Sequence, residues 1–343
     1  MNSNYPIWGT DQFPPRKAGT VSNHFEFFDC EIDGVEAYAS VLSEASFEVS
    51  QLEPGILRGH HTRLRLAEFE ISWVKMNLSI RGRGNLPGDT WTISLVLHTD
   101  GRSLQHGVEV EAGSMVVHGP GAVHDGIYGR GSSVVCFGVP ATIFEQRVNQ
   151  EFPDLRDMLS KPWDIFSVSE LKTSELISPF QGAVELLRTD DSVRSSDAAM
   201  KSMVDELLYG YLLSLLEANQ VAAHAQVAGA AEIFRKAEVF ANDSPNRAPA
   251  VGDLCQAFGV SRRTLSRAFQ QTTGMGPATY LRRMRLGAAR SSILQSNGDG
   301  KTISEIAINH GFWHFSRFAE QYREMFGESP SETKSRYLPG QAD

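Results

Sequence analysis

The chain has 343 residues, and its formal net charge of −9 results from 32 Lys and Arg against 41 Asp and Glu. This length predicts two domains, and three cysteines without a CxxC pair exclude a disulfide framework and favour reduced thiols. No stretch is long and apolar enough to span a membrane, and residues 1–19 lack the apolar core of a signal peptide, so we expect a cytoplasmic protein without a membrane partner.

The charge is divided unevenly along the chain. Residues 246–343 carry 13 Lys and Arg against 8 Asp and Glu, whereas residues 1–245 carry 19 against 33. Phosphate attracts a basic module and repels an acidic one. The C-terminal part is therefore compatible with a nucleic-acid partner although the whole chain is acidic.

The N-terminal half is predicted to be rich in short strands. Residues 1–20 contain three prolines, which predicts a flexible arm. From residue 21 to 140, apolar and polar residues alternate in short runs such as Phe47–Gln51 and Trp91–Leu97, separated by Gly and Pro turn signals. This pattern predicts a small β-barrel or jelly roll over residues 21–150, with room for a small effector at its mouth.

Histidines in the predicted barrel raise the hypothesis of a metal site. The candidates are His60, His61, Glu68, His118 and His124. Adjacent strand residues point to opposite faces, so His60 and His61 cannot both line one cavity. We expect a barrel without a metal or cofactor and no enzymatic activity, and a barrel-based metalloenzyme with an appended DNA-binding module is the alternative.

A group of arginines lies in this otherwise acidic half. Guanidinium groups suit a carboxylate or phosphate, which makes an anionic effector one interpretation. The other interpretation, which we favour, is that they are strand charges paired with nearby carboxylates. The candidate effector-binding residues are Arg58, Arg63, Arg65, Arg81 and Arg83.

The hydrophobic period becomes helical beyond residue 140. Residues 151–221 are predicted as a helical region, whose strongest helix, Ala198 to Ala218, carries a broad apolar stripe. The stripe predicts either packing against the barrel or the seam of a homodimer. Residues 222–230 are rich in small side chains and are predicted as a linker.

A near-repeat dominates the domain predicted over residues 231–338. Residues 253–277 and 304–330 each read as a helix-turn-helix, with Gly259 and Gly311 supplying the turn. Residues 277–294 join the units as a long helix. The fold is thus predicted to be α+β, with a barrel and a helical extension followed by an all-α domain whose outward helix faces can enter DNA major grooves.

The inward positions of the second helices indicate which side chains face outward. With Leu265 and Phe269 inward, Arg263 and Arg267 are opposed to them, and Arg binds guanine edges with two hydrogen bonds. In the second unit the outward Glu320 would repel phosphate unless it accepts from cytosine, so this unit is expected to add less affinity. Trp313 and Phe315 either contact a thymine methyl or pack, and we expect packing.

The stretch from about Ala231 to Tyr337 resembles the DNA-binding domain of AraC/XylS-type transcription regulators. It carries both glycine turns, Tyr280-Leu281, Arg285-Leu286 and the terminal sequence Gly327-Glu328-Ser329-Pro330. The resemblance implies a cupin-like sensor domain upstream and a transcription regulator, expected to be an activator, that acts with promoter DNA, a small-molecule effector and RNA polymerase. It also implies that Arg285 forms a structural ion pair with a neighbouring helix.

Helix geometry and this resemblance together define the candidate DNA contacts. Base-reading positions are Arg263, Ser266, Arg267, Ser316, Arg317 and Glu320. Phosphate-contacting positions are Arg262, Gln270, Arg282, Arg283 and Arg323.

Overall fold

The computed structural model describes residues 25–41, 46–66, 69–159, 161–189, 197–221, 224–242, 249–296 and 301–336. The predicted arm, residues 1–20, lies outside these ranges. No helix within them is both long and apolar enough to cross a lipid bilayer. Antiparallel sheets form the N-terminal half and helices the C-terminal part, which confirms the predicted α+β class.

Two antiparallel sheets form the N-terminal domain. The strands are β1 (Phe25–Asp33), β2 (Ser46–Gln51), β3 (Arg58–Leu66), β4 (Phe69–Met76), β5 (Ile80–Asn85), β6 (Thr90–His98), β7 (Ser103–Gln105), β8 (Val108–Val110), β9 (Ser114–His118), β10 (Val123–Tyr128), β11 (Ser133–Pro140), β12 (Trp163–Ser167) and β13 (Asn219–Gln220). The larger sheet has the order β1-β3-β4-β11-β6-β9-β12-β13, and the smaller has β2-β5-β10-β7-β8. Strands adjacent in a sheet are often distant in the chain, as in a jelly roll.

Most of the helices follow the strands of the two sheets in the sequence. They are α1 (Val35–Val41), α2 (Ala141–Glu151), α3 (Leu155–Met158), α4 (Glu170–Thr189), α5 (Asp197–Glu217), α6 (His224–Asn242), α7 (Val251–Phe258), α8 (Arg262–Thr273), α9 (Pro277–Gln295), α10 (Ile303–Asn309), α11 (Phe315–Phe326) and α12 (Pro330–Arg336). Helix α6 occupies most of the segment predicted as a linker, residues 222–230. Its alanines explain the difference, because Ala has the highest helix propensity.

The apolar stripe of α5 packs within the molecule. Leu207, Leu208, Tyr211 and Leu212 are buried in one core with the larger sheet, α2 and α4. Tyr211 meets Phe137 of β11 with ring centroids 5.6 Å apart. Of the two interpretations of this stripe, the structure supports packing against the barrel.

A second core joins the barrel to the first helix-turn-helix unit. Leu52, Leu104 and Ile127, on the side of the smaller sheet, are buried together with side chains of α6, α8 and α9. Buried Phe234 of α6 meets Phe269 at 5.1 Å and Tyr280 at 5.0 Å, both edge to face. Apolar burial of this kind stabilises one arrangement of the two domains.

Candidate nucleic-acid interface

The first helix-turn-helix unit consists of α7 and α8. Gly259 ends α7 at φ +62°, a left-handed conformation that glycine adopts without steric cost. Ser261 then caps α8, because its hydroxyl accepts a hydrogen bond from the Thr264 backbone N–H at 3.1 Å. Leu265 and Phe269 are fully buried, so the opposite face of α8 is turned to solvent.

That opposite face carries the predicted DNA-reading side chains. Arg262, Arg263, Ser266 and Arg267 are all exposed. The guanidinium groups make no hydrogen bond or ion pair with any residue that the structure describes, and a charged surface left unpaired is available to an anionic partner. Gln270, a predicted phosphate contact, is also exposed. Its side-chain amide donates a hydrogen bond of 2.9 Å to Gly274 O at the end of its own helix.

The second unit, α10 and α11, repeats this arrangement with a longer turn. Thr302 and Glu305 form a capping box at the start of α10, and Gly311 lies in the turn at φ +78°. Phe318 and Tyr322 are buried, and Ser316, Arg317, Glu320 and Arg323 are exposed as predicted. The guanidinium of Arg323 lies 3.9 Å from the Glu332 carboxylate.

The aromatic residues before and at the start of α11 do not pack as expected. Trp313 is 72% exposed and Phe315 is 44% exposed. The expectation of packing is wrong for Trp313, because the turn core is filled by Phe312, which meets Phe318 at 4.9 Å. A large apolar surface therefore lies beside the exposed face of α11.

The arginines of the connecting helix α9 differ in their surroundings. Arg282 is half-buried and has no partner among the described residues, whereas the predicted phosphate ligand Arg283 donates to Leu52 O of the barrel. Arg285 does not form the expected ion pair: its Nε donates to Leu281 O at 3.2 Å, and its guanidinium lies 5.5 Å from the Phe312 ring. The structural ion pair belongs to Arg290, which binds Glu36 at 2.6 Å and Glu328 at 2.7 Å.

The five candidate effector-binding arginines lie on both sheets. Arg63 and Arg65 of β3 both approach Glu70, at 3.8 Å and 2.8 Å. Arg81 of β5 is buried and binds Asp125 and Glu238 of α6, and the Coulombic attraction of Glu238 raises its pKa despite desolvation. Arg58 is exposed and Arg83 half-buried, and neither side chain contacts a carboxylate of the described part of the chain.

The barrel histidines form two groups, with His60 and His61 on opposite faces of β3 and with His118 close to His106 and His124. His61 is buried and bonded to Ser72 at 2.8 Å, whereas His60 faces Asp29 at 2.7 Å on the other face of the strand. His118 lies 3.0 Å from His106, Nε2 to Nε2, and burial lowers the pKa of both His61 and His118 to about 3. Neutral imidazoles need no counter-charge, and among the described residues no three His, Cys, Asp or Glu side chains are arranged to hold a metal ion.

Sequence reasoning did not find the buried network around Glu238. Its carboxylate accepts from the Tyr280 hydroxyl and from Arg81, whose Nη2 lies 2.7 Å from Glu238 Oε2. A charged residue on the otherwise apolar inner face of a helix such as α6 is the available signal, because a buried carboxylate requires a partner. The partner is 157 residues away in the sequence, so no local pattern identifies it.

Comparisons with known proteins agree on the C-terminal part of the chain. A family model described as a helix-turn-helix domain matches residues 254–336. The XylDLEGF operon transcriptional activator 2 of Pseudomonas putida is 33% identical over 102 residues, or 30% of this chain and 65% of that protein. The probable thc operon regulatory protein of Rhodococcus erythropolis is 38% identical over 82 residues, or 24% of this chain and 25% of that protein.

The chain thus spans less than two thirds of the length of these relatives. Among solved structures, the AraC-like transcriptional activator CuxR matches 82% of this chain and 100% of its own, at 15% identity and a TM-score of 0.40. The residues that the family model matches, 254–336, include both glycine turns and the exposed faces of α8 and α11. Residues 254–336 thus form a helix-turn-helix domain that is similar to the DNA-binding part of these transcription regulators.

Proposed function

We propose that the chain is a sequence-specific DNA-binding transcription regulator, an activator, whose N-terminal domain binds a small-molecule effector. The observation that carries the proposal is the exposed face of α8, where Arg263 and Arg267 have no partner among the described residues. The positive charge of residues 246–343 supports a phosphate-rich partner. The relative from Pseudomonas putida is itself named a transcriptional activator.

The proposed partners are promoter DNA, RNA polymerase, the effector and a second copy of the chain. We expect the protein to act in the cytoplasm and to have no enzymatic activity. Arg58 and Arg83 remain the candidates for an anionic effector within the barrel, since Arg63, Arg65 and Arg81 already face carboxylates. Arg282 remains a candidate phosphate contact. Arg283 is a weaker candidate, because its guanidinium already donates a hydrogen bond to Leu52 O of the barrel.

The test compares two arginines of one helix on DNA selected from a random duplex library. Arg267→Ala is expected to cost about 1–3 kcal/mol on the selected site and to relax the preference at one base pair, because a base contact is lost. Arg262→Ala is expected to weaken binding to all sequences and to reduce the salt slope by about one, because a phosphate contact is lost. Binding is measured by titration at several salt concentrations.

Arg235→Ala serves as the control, since it removes an exposed arginine of α6 that faces Glu232 at 3.8 Å. It should bind selected and random DNA as the parent protein does. An equal loss on selected and random DNA for Arg267→Ala contradicts its assignment as a base reader. A parent protein without preference for any sequence refutes the proposed function.

A further inference from the structure

The barrel is joined to the two helix-turn-helix units in different ways. The first unit shares an apolar core with the barrel, in which Leu52, Leu104 and Ile127 are buried with side chains of α6, α8 and α9. The core of the second unit is formed by side chains of α9, α10, α11 and the turn between the last two, and among the described residues no barrel side chain belongs to it. Apolar burial therefore fixes the first unit on the barrel, whereas the second unit depends on polar contacts.

A bidentate ion pair joins the barrel to the second unit. Arg290 of the connecting helix α9 donates from Nε to Glu36 Oε1 at 2.6 Å and from Nη2 to Glu36 Oε2 at 3.3 Å. The Arg290 side chain is only 6% exposed. Because water is largely excluded, the attraction between these charges is stronger than it is at the surface.

Arg290 is part of the interior of the second unit. Its Nη1 donates to Glu328 Oε1 at 2.7 Å, and Glu328 directly follows Gly327, the residue that ends α11. Thr333 of α12 donates to the same carboxylate oxygen at 2.9 Å, and the Tyr322 hydroxyl of α11 donates to Thr333 at 3.0 Å. The guanidinium that Glu36 binds is thus connected by hydrogen bonds to the helix that carries the predicted base contacts of the second unit.

Glu36 is fixed to the barrel on its own side. It lies in the first turn of α1, and Gly34, just before this helix, donates its N–H to Leu57 O at 2.8 Å. Leu57 ends the loop between β2 and β3. At the other end of this loop, the Gln51 amide donates to Met325 O of α11 at 2.9 Å. Helix α1 and the loop therefore meet the second unit as one part of the barrel.

We propose that the barrel positions the second unit on DNA, with Glu36 as the positioning residue. Glu36 touches no base in this arrangement and acts through Arg290. Without the ion pair, the first unit keeps its place through the shared apolar core, whereas the second unit gains freedom relative to the barrel. Base contacts need a fixed position over the base edges, so reading by the second unit depends on the pair. This role in reading rests on the proposed function, but the attachment of the second unit to the barrel does not.

Hydrogen exchange of the full chain without DNA tests the attachment. In Glu36→Ala, the amides of α10, α11 and α12 should exchange at least about threefold faster, because local opening becomes easier. The amides of α7 and α8 should exchange as in the parent protein. Glu70→Ala is the matched control, since the Glu70 side chain is 30% exposed against 27% for Glu36 and binds Arg65 at 2.8 Å within the barrel. It should leave exchange in both units unchanged.

Reading is measured by titration with the DNA site that the parent protein selects from a random library. Arg267→Ala and Arg317→Ala assign its base pairs to the first and the second unit, because each variant loses the preference at the pairs it reads. In Glu36→Ala, discrimination against a changed base pair of the second unit should fall about two- to thirtyfold, the usual size of such couplings. Discrimination at the base pairs of the first unit should stay as in the parent. Glu36→Asp keeps the charge and should retain part of the preference.

A purely structural role of Glu36 would lower Tm but leave every base-pair preference of the folded protein intact, and this result overturns the proposal. Unchanged exchange in α10–α12, equally faster exchange in both units, or equal loss of preference at both sets of base pairs also overturns it. So does a parent protein that reads no base pair with its second unit. A parent without any sequence preference refutes the proposed function, and exchange alone then decides whether Glu36 holds the second unit.

Discussion

Trp313 exposes most of its side chain in the turn just before α11, where Phe315 and Ser316 are exposed as well. Exposed aromatic surface is costly in water and is concentrated at binding surfaces. The position beside the outward face of α11 suits contact with a thymine methyl group in the major groove. Such a contact would partly offset the unfavourable charge of Glu320, which is also exposed.

Replacing Trp313 by Ala is expected to weaken binding to the selected DNA by about 1 kcal/mol, the value for roughly 40 Å² of apolar surface at about 25 cal/mol/Å². The free energy of unfolding should hardly change, since surface substitutions have small effects. DNA titration and urea unfolding measure the two quantities. Leu171→Ala is the matched control, because Leu171 is also 72% exposed but lies on α4 of the N-terminal half. Unchanged DNA affinity in Trp313→Ala would assign this aromatic residue another role.

Residue-scale prediction from the sequence worked where helix periodicity determines a side chain's direction. Arg263 and Arg267 are outward because Leu265 and Phe269 are inward, and both facts follow from 100° per residue. It failed for Arg285 and Arg290. Both are arginines of α9, and the acceptors of Arg290 lie 254 and 38 residues away, so spacing alone cannot say which one is paired.

At the scale of elements, the turns and helices of the C-terminal domain were predictable because their signals are local. The turn glycines have positive φ, and the apolar pairs on α8 and α11 are buried. The sheet order was not predictable, since β11 lies between β4 and β6, and both of these strands are far from it in the sequence. Strand β12 and the edge strand β13 join the larger sheet from within the predicted helical region.

Substitutions at two glycines of the helical domain measure the cost of backbone strain and the gain in helix propensity separately. Gly259 has φ +62° and Gly287 lies inside α9, and a Cβ at either position would meet no atom within 4 Å. Gly259→Ala is expected to lower the free energy of unfolding by about 1–2 kcal/mol, the cost of the left-handed conformation for an L-residue. Gly287→Ala is expected to raise it by about 0.5–1 kcal/mol, since Ala favours the helix interior.

Urea unfolding of the two variants measures both changes. Because neither substitution creates a clash, opposite signs can come only from the backbone conformations. Destabilisation of similar size in both variants would show that Gly259 is not required for its φ. Gly259→Asn is expected to lie between the parent and the Ala variant, because Asn tolerates the left-handed region better than Ala.

At the scale of the whole molecule, the barrel contacts α8 and α11, the second helices of the two helix-turn-helix units, at their C-terminal ends. Gln51 Nε2 and the Gly55 N–H donate to Met325 O of α11 at 2.9 and 3.1 Å. Arg102 donates to Gln271 O of α8. Carbonyl groups of a last helical turn need such donors. The barrel thus contacts the C-terminal ends of both helices, whereas Arg263 in the first turn of α8 and Trp313 just before α11 are exposed.

The buried network of Glu238 links β5, α6 and α9 across the seam between the N-terminal sheets and the helical domain. Glu238→Gln is expected to lower the free energy of unfolding by about 1.5–3 kcal/mol, since buried Arg81 would lose one of its two carboxylate partners and keep only Asp125. Urea unfolding followed by circular dichroism measures the loss. The matched control is Glu232→Gln on the same helix, where an exposed carboxylate faces Lys236 at 3.0 Å.

Water replaces a lost partner at an exposed site, so Glu232→Gln should leave stability unchanged. A second comparison tests whether the loss of stability comes from the pair of Arg81 and Glu238. Arg81→Met removes the buried positive charge, so that no carboxylate is required beside it. Combined with Glu238→Gln, it should restore part of the stability, because no buried cation is left uncompensated. If the double variant is as unstable as the two single losses added together, Arg81 and Glu238 do not stabilise the domain seam as a pair.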